Sequence, residues 1–553
     1  MKSINTSYFD FAVMRDPAKN CVYVDKTAQL YELVKPTAEG IYYLTRPRRF
    51  GKSLMISTLK YLFQGRRDLF RGLWIDSSVW DWDSEVYPVL HLDMSNVENS
   101  TSSDLRESLN YLVKAACEEH GVPYLGSKSP PVNFKGMLAE LKRKSPSGKF
   151  VLLIDEYDAP IAGLLDDPSL RKMLPRVRKA LHDFYVQAKA ECGHMRFLVV
   201  TGVSKFAKTS IFSAFNNPCD LTFDARAADL LGYTHEELET YFHDHIQAFA
   251  DQERISYEAM FERLLEWYDS YQFSPDRPVK VVNPVSLGRA LANQKFGNYW
   301  EATAGSTLIF EALKAANRGP ADFAMTVNAA TLDAPDALSA PTAALLYQGG
   351  YLTIEGRGAD EYDDPEDAGQ ILRLRIPNNE VRLSLERGYM GMVLGKDFAL
   401  DDFQRAAGRT ARTLALDGVG EKLNALLKTA YSKLPHDWAC KDEREAKRYF
   451  LAFMVFARAD VAGEEQHSLG RPDAVLRTEK GIYVFEFKYG RSAEAALAQC
   501  RDRRYGDAFA TDGRRVYYVG VNYDPDARTV AEALCEEAKP GRPPLEGPAS
   551  AAD

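Results

Sequence analysis

The sequence predicts an α/β chain: a parallel sheet with a phosphate-binding loop and a helical lid, a mixed α+β middle region, and a C-terminal α/β domain. Three observations predict it. In GIYYLTRPRRFGKSLM, residues 40–55, a short β-rich run (Ile41–Thr45) enters a basic turn, then Gly51-Lys52-Ser53, then apolar residues at helical spacing, Leu54, Ile56 and Leu59. In KFVLLIDEYDAP, residues 149–160, five apolar residues from Phe150 to Ile154 end in Asp155 and Glu156, as in a strand buried on both faces of a parallel sheet. Near the C-terminus, Asp473, Glu486 and Lys488 fall on two β-rich runs joined by a turn at Lys480-Gly481.

With 553 residues the chain exceeds one ordinary core and suggests about three domains. Its 45% hydrophobic and 27% charged residues are those of a globular protein, and a net charge of -9 excludes a basic coat that adheres to any nucleic acid. A local groove remains open. No apolar run approaches the roughly eighteen residues of a membrane span, and MKSINTSYFDF has no signal-like segment. The expectation is a cytoplasmic protein without a membrane partner. Seven scattered cysteines without C-x-x-C spacing read as reduced thiols, not a disulfide scaffold or a zinc site.

Taken in order, YVDKTAQLYELV (residues 23–34) runs into an amphipathic helix that Asp25 is placed to cap. The loop that follows is a phosphate cradle, in which backbone N–H groups and a helix N-terminus face the phosphates. Lys52 reaches the β- and γ-oxygens and the Ser53 hydroxyl ligates Mg²⁺. The candidate nucleotide contacts there are Arg49, Phe50, Gly51, Lys52, Ser53 and Leu54. Arg46 stands where a G-x-x-x-x-G-K-[ST] motif has its first glycine. Arg46, Arg48 and Arg49 suit either phosphates or an acidic neighbour.

A helix to about residue 64, a strand at 86–92 and a helix at 102–119 lead to the 149–160 run. At the carboxyl edge of its strand, Asp155 is the expected Mg²⁺ partner and Glu156 the base that deprotonates water. A merely solvated carboxylate pair is the competing reading. A helix over 169–190 precedes a strand at 197–200, whose end carries Thr201, Ser204 and Lys205. Ser204 is a candidate γ-phosphate contact or a helix cap.

Residues 230–313 read as a helical lid, with Thr234 and Glu237 spaced as a capping box. The span 320–341 reads as a connector, followed by short strands around an acidic insertion at 358–369, an expected exposed hairpin loop. Helices fill 397–432 without evident chemistry, and the Pro- and Gly-rich tail reads as disordered.

In the last domain a helix over 443–459 precedes the Asp473 strand. Glu486 and Lys488, two apart on the next strand, point to one face, with Asp473 adjacent. Two carboxylates and a lysine suit a divalent-metal hydrolytic site, the lysine orienting or deprotonating the attacking water. Glu445 on the preceding helix is a candidate further ligand. Gln499, Arg503 and Tyr505, on the following helix with Arg501 and Arg504, are candidate contacts to a phosphate backbone. A salt-bridged surface hairpin is the competing reading.

The strings YVDKT, RPRRFGKS, LLIDEYDAP, TGVSKFAKTSIFSAFNN, YDSYQF, NPVSL, LLYQGGYLTI and IPNNEVR together resemble the AAA-ATPase-like family, itself similar to the archaeal-type P-loop ATPases. GRPDAVL, FEFKYG and ALAQCRDRRYGDAF resemble its companion nuclease domain of the PD-(D/E)XK superfamily. The resemblance implies a P-loop NTPase core over 1–229, a helical lid or winged-helix-like region over 230–318 and a mixed α+β connector over 319–440. A restriction-endonuclease-like domain would follow over 441–538, with a tail over 539–553. It implies ATP and Mg²⁺ at Lys52 and Ser53, hydrolysis at Asp155 and Glu156, and a nuclease metal site for Mg²⁺ or Mn²⁺ at Asp473 and Glu486 with Lys488 and Glu445. Arginines before F-G-K-S are part of that family's signature, and its domain pairing is similar to those of nucleic-acid processing and of defence against foreign DNA. The expected function is thus an ATP-hydrolysing, metal-dependent nuclease acting on nucleic acid, DNA foremost, with self-association plausible because arginine fingers often come from a neighbour. The alternative is a nucleotide-dependent switch or scaffold whose nuclease-like domain binds nucleic acid or a protein without cleaving.

Overall fold

The computed structural model describes residues 1–538 other than 8, 78, 100, 206–217, 301–306, 317–322, 335, 359–370, 395–404, 406–418, 433, 435–439, 458, 464–470, 479–480 and 511. The whole FAKTSIFSAFNN run, most of the acidic insertion, much of the 397–432 helical span, Lys480 and the tail therefore lie outside the described residues. The chain divides into two compact units, one of Met1–Ile309 with Ala324–Ser384, the other of Phe310–Phe323 with Leu385–Asp553. The span read as a connector domain is thus shared between them.

The first unit holds a five-stranded parallel sheet, β1 (Ile41–Thr45), β2 (Val89–Asp93), β3 (Phe150–Asp155), β4 (Met195–Gly202) and β5 (Cys219–Asp220), in the order β2-β3-β4-β1-β5. All six residues of β3 are buried, as a central parallel strand requires. α1 (Thr27–Val34) precedes the sheet, and the crossovers are supplied by α2 (Lys52–Phe63), α3 (Ser102–His120), α4 (Pro130–Lys144), α5 (Ala159–Asp166) and α6 (Leu174–Lys189). The strand expected from residue 86 begins at Val89, because Pro88 has no N–H for the ladder. The helix expected from 169 begins at Leu174 after a tight turn over Arg171–Met173, because Pro175 lacks the donor for an i→i−4 bond. Asp25 accepts from Thr27 N at 2.9 Å and Trp74 N at 2.7 Å, which ties α1 to the body.

Register fixes the site. Asp93 pairs with Asp155, and Thr45 with Gly202, so the ends of β1 to β4 form one rim. The intervening β4 places Thr201 beside Asp155.

Beyond the sheet, α7 (His235–Glu253), α8 (Tyr257–Tyr268) and α9 (Pro284–Asn293) pack through Leu238, Phe242, Ile246, Met260, Leu264 and Leu287. The Thr234–Glu237 capping box is present. A two-stranded ribbon, β6 (Tyr271–Gln272) with β7 (Lys280–Val281), and an antiparallel sheet of β8 (Met325–Asn328), β9 (Thr353–Arg357) and β10 (Ile371–Arg375) complete the unit with α10 (Thr342–Gln348).

The second unit is a mixed sheet ordered β11 (Asp460–Gly463), β12 (Ala474–Arg477), β13 (Gly481–Tyr489), β14 (Arg515–Asp524), β15 (Thr529–Glu537). Only β13 and β14 pair in parallel, joined by a crossover through α12, with α11 (Glu443–Phe456) and α12 (Ala493–Asp502) against β13. The two faces of β13 part accordingly: Phe485 and Phe487 meet Phe450 of α11, while Ile482 and Val484 join Leu497 and Cys500 of α12. No helix among the described residues is long and apolar enough to cross a membrane.

Candidate active sites

In the first unit the strand-turn-helix is built around Arg46, whose side chain is fully buried where a glycine was expected. Its guanidinium donates to the carbonyls of Thr45, Thr222 and Ala227 at 2.8–2.9 Å and lies 4.1 Å from the Phe273 ring centre. Burial lowers its pKa to about 10, so it stays charged at neutral pH. Two left-handed residues then fold the loop, Arg49 (φ 70°) and Gly51 (φ 95°), and nothing lies within 4 Å of where a Gly51 Cβ would stand.

Lys52 is 3% exposed and donates from Nζ to the carbonyls of Arg46 (3.1 Å) and Pro47 (3.3 Å); the nearest carboxylate oxygen, Glu156 Oε1, is 3.6 Å away. Resting on main-chain carbonyls, without a tight ion pair, this ammonium fits a triphosphate at the N-terminus of α2. Ser53 and Arg48 line a cavity of about 730 Å³ together with Asp93, Asp155, Glu156 and Ser204. Asp155 Oδ1 accepts from Thr201 Oγ1 at 2.6 Å and from Glu156 N at 3.0 Å. Glu156 is itself left-handed (φ 52°), and burial raises its pKa against the pull of Lys52.

The remaining loop candidates divide. The Phe50 ring is in the core, edge-on to Tyr271 and Phe273 at 4.8 and 5.2 Å. Leu54 lines a smaller apolar cavity with Gly51, Tyr23 and Val285. Arg49 donates to the Tyr299 carbonyl, and Glu380 holds the amides of Tyr299 and Trp300 at 2.6 and 2.9 Å. Burial lifts the Glu380 carboxyl to about 7. Ser204 is committed to Asp158, to which its N and Oγ donate at 2.8 and 2.7 Å. Sequence reading missed Asp93, which strand pairing alone reveals, and Trp300 and Gln348, which come to the cavity from distant segments.

In the second unit β13 presents Glu486 and Lys488 together, and Asp473 meets them across the ladder. Asp473 Oδ2 accepts from Phe487 N at 2.8 Å, and its own N–H donates to Phe485 O at 3.2 Å. The third carboxylate is Glu443, in the first turn of α11: Glu443, Asp473 and Glu486 each offer an oxygen within 4.8 Å of the others. Glu445, the residue expected there, instead accepts from Lys441 N at 2.9 Å and gives its own N–H to the cap Asp442 at 2.8 Å. It serves the helix end.

Lys488 Nζ stands 3.1 Å from Glu443 Oε1, 3.1 Å from Glu486 Oε1 and 2.7 Å from Phe487 O. Gln499 of α12 donates to Glu486 Oε1, and Tyr505, buried in the core, is hydrogen-bonded to Gln499. Arg503 is exposed at the end of α12, while Arg501 pairs with Glu494 and Glu536. Glu486 Oε2 is buried with no hydrogen-bond partner among the described residues. Desolvation, then the charge of Asp473, lifts the Glu486 carboxyl to about 7. An orphaned oxygen facing two more carboxylates is the environment that a hard divalent cation satisfies.

Comparison with known proteins places the two sites in separate matched regions. A family profile described as predicted AAA-ATPase matches residues 7–212, and one described as PD-(D/E)XK nuclease superfamily matches residues 441–533. A curated relative, an uncharacterized protein in the vnfD 5′ region of Azotobacter chroococcum mcd 1, is 30% identical over 538 residues, covering 95% of this chain and 97% of the relative. No solved structure matches.

Proposed function

This chain belongs to the predicted AAA-ATPases that carry a C-terminal domain of the PD-(D/E)XK nuclease superfamily, and we propose that it hydrolyses ATP in its first unit and cleaves phosphodiester bonds of DNA in its second, in defence against foreign DNA. The observation that carries the nuclease half is the set Glu443, Asp473 and Glu486 with Lys488 among them and one Glu486 oxygen unsatisfied.

In the first unit Lys52 gives its ammonium to the β- and γ-phosphates, and Ser53 and Asp155 hold the Mg²⁺ that accompanies ATP. Glu156 takes the proton of the attacking water at its carboxylate, and its raised pKa makes it the stronger base. Thr201 fixes the orientation of Asp155 by donating to Oδ1.

In the second unit Glu443, Asp473 and Glu486 hold Mg²⁺ or Mn²⁺. That ion, when bound, polarises the phosphodiester and acidifies water. Lys488 orients the attacking water from Nζ, a position the Phe487 carbonyl secures. Gln499 steadies Glu486 through Oε1. The test is degradation of labelled linear and plasmid DNA with Mg²⁺ or Mn²⁺, with and without ATP, beside Asp473→Ala. Metal-dependent cutting by the wild type that the variant lacks supports the reading; equal behaviour of the two sinks it.

A further inference from the structure

Asp158 stands two residues after Glu156, at the N-cap of α5, where an aspartate ordinarily accepts from the amides of its own helix. Here its side chain caps nothing in α5 and crosses instead to the turn that follows β4. Oδ1 accepts from Val203 N at 3.1 Å, and Oδ2 accepts from Ser204 N at 2.8 Å and from Ser204 Oγ at 2.7 Å. The residue lines the large cavity yet is only 3% exposed. With three donors on its two oxygens, this carboxylate is engaged within the protein. The same two turns meet at further points: Tyr157 N donates to Thr201 O at 3.0 Å, Tyr157 Oη to Ser204 O at 2.7 Å, and Thr201 Oγ1 to Asp155 Oδ1 at 2.6 Å. Gly202 permits the approach, because a Cβ there would collide with the Tyr157 ring and with Asp158. Between these bonds lies Glu156, left-handed at φ 52°. A residue with a Cβ keeps that conformation only where its surroundings impose it.

We propose that Asp158 is a positioning residue for ATP hydrolysis: by fastening the turn after β3 to the turn after β4, it holds Glu156 in the left-handed conformation from which it acts on water. The inference rests on the reading of Glu156 as the base. Thr201 and Asp155 secure the backbone before Glu156, and Asp158 secures it after. A left-handed residue is fixed only when both flanks are. Without the Asp158 carboxylate, two buried amides and a hydroxyl lose their acceptor and the α5 flank comes loose. Glu156 then relaxes out of the left-handed region, and its carboxylate leaves its place 3.6 Å from Lys52 Nζ. Lys52 itself rests on the carbonyls of Arg46 and Pro47, in a different loop. The loss therefore falls on turnover and spares nucleotide affinity.

The experiment uses the full chain with Mg²⁺ and measures ATP turnover and fluorescent-ATP binding. The variants are Asp158→Asn, Ser204→Ala and Glu156→Gln, with each of the first two also combined with Glu156→Gln. Asp158→Asn is expected to lower kcat about 10–100-fold with KM and fluorescent-ATP affinity unchanged. Ser204→Ala removes one of the three donors, and its kcat should fall about threefold. In the Glu156→Gln background neither substitution should lower kcat further, since a residue that acts through Glu156 has nothing left to position. A wild-type kcat in Asp158→Asn, a loss of ATP affinity in place of turnover, or a loss that persists undiminished beside Glu156→Gln overturns the proposal and leaves Glu156 as the base. If melting shows Asp158→Asn to be unfolded, the same comparison is read from Ser204→Ala. Turnover by Glu156→Gln equal to wild type removes the reading of Glu156 as the base, and this proposal with it.

Discussion

Both sites set a buried lysine beside a carboxylate and over main-chain carbonyls, yet they differ in how completely their acidic groups are satisfied. Asp155 receives a hydroxyl from Thr201 and the next amide, and Glu156 faces Lys52 across 3.6 Å. Glu486 keeps one oxygen without a partner while two further carboxylates crowd within 4.8 Å. The second site carries an electrostatic deficit that an added cation removes. A nucleotide would therefore be recognised mainly through the lysine and loop amides, a metal mainly through the relief of stored repulsion.

The comparison breaks first if the two sites fail to separate under mutation. Lys488→Ala and Asp473→Ala are expected to lower DNA cleavage by about a thousandfold or more while fluorescent-ATP binding is retained. Lys52→Ala is expected to abolish that binding while Mn²⁺ titration of the second site is unaltered. Next in size, Glu156→Gln removes the proton acceptor but not the phosphate contacts, so ATP turnover should fall about 10²–10⁴-fold with nucleotide affinity kept. Loss of affinity in this variant would assign Glu156 to binding.

A finer cut distinguishes Glu443 from Glu445. Glu443→Gln should weaken Mn²⁺ binding about tenfold or more, whereas Glu445→Ala, which removes the acceptor for Lys441 N, should leave it unchanged and lower stability by about 1 kcal/mol through the helix end. The reverse pattern would restore Glu445 to the metal site. The smallest effect concerns Glu380 in the first unit. Its folded pKa of about 7 lies above the ordinary 4.5, so its contribution to stability is full below the unfolded value and is lost as pH rises through about 7. The melting temperature of wild type relative to Glu380→Gln should therefore decline between about pH 5 and about pH 8; a flat difference would show that Glu380 titrates normally.

The first site was the more legible because its chemistry lies in contiguous strings: the loop at 46–53 and the strand end at Asp155-Glu156 carry their geometry with them. Asp93 was not legible, since only the pairing of β2 with β3 brings it to the rim. In the second site the strand period correctly put Glu486 and Lys488 together. It failed on α11, where residues two apart point about 200° from one another, so that choosing between Glu443 and Glu445 required the rotation of the helix. Pro130-Pro131 could pass for a turn, yet they occupy the first positions of α4, where a missing N–H costs nothing. The division of the middle region between two units follows from contacts distant in sequence, such as Gln272 N to Thr353 Oγ1 at 2.7 Å and Lys205 N to Gln348 Oε1 at 2.7 Å.

Arg46 has a consequence beyond its hydrogen bonds. Its guanidinium is clasped by three carbonyls and a phenyl ring inside the protein, so the start of the loop is anchored from the interior before any nucleotide arrives. A glycine there would leave that stretch free to sample many shapes, and binding would have to select one. With Arg46 the selection is made during folding. Nucleotide association should then proceed in a single kinetic phase, its rate rising linearly with concentration, with no slow rearrangement of the loop.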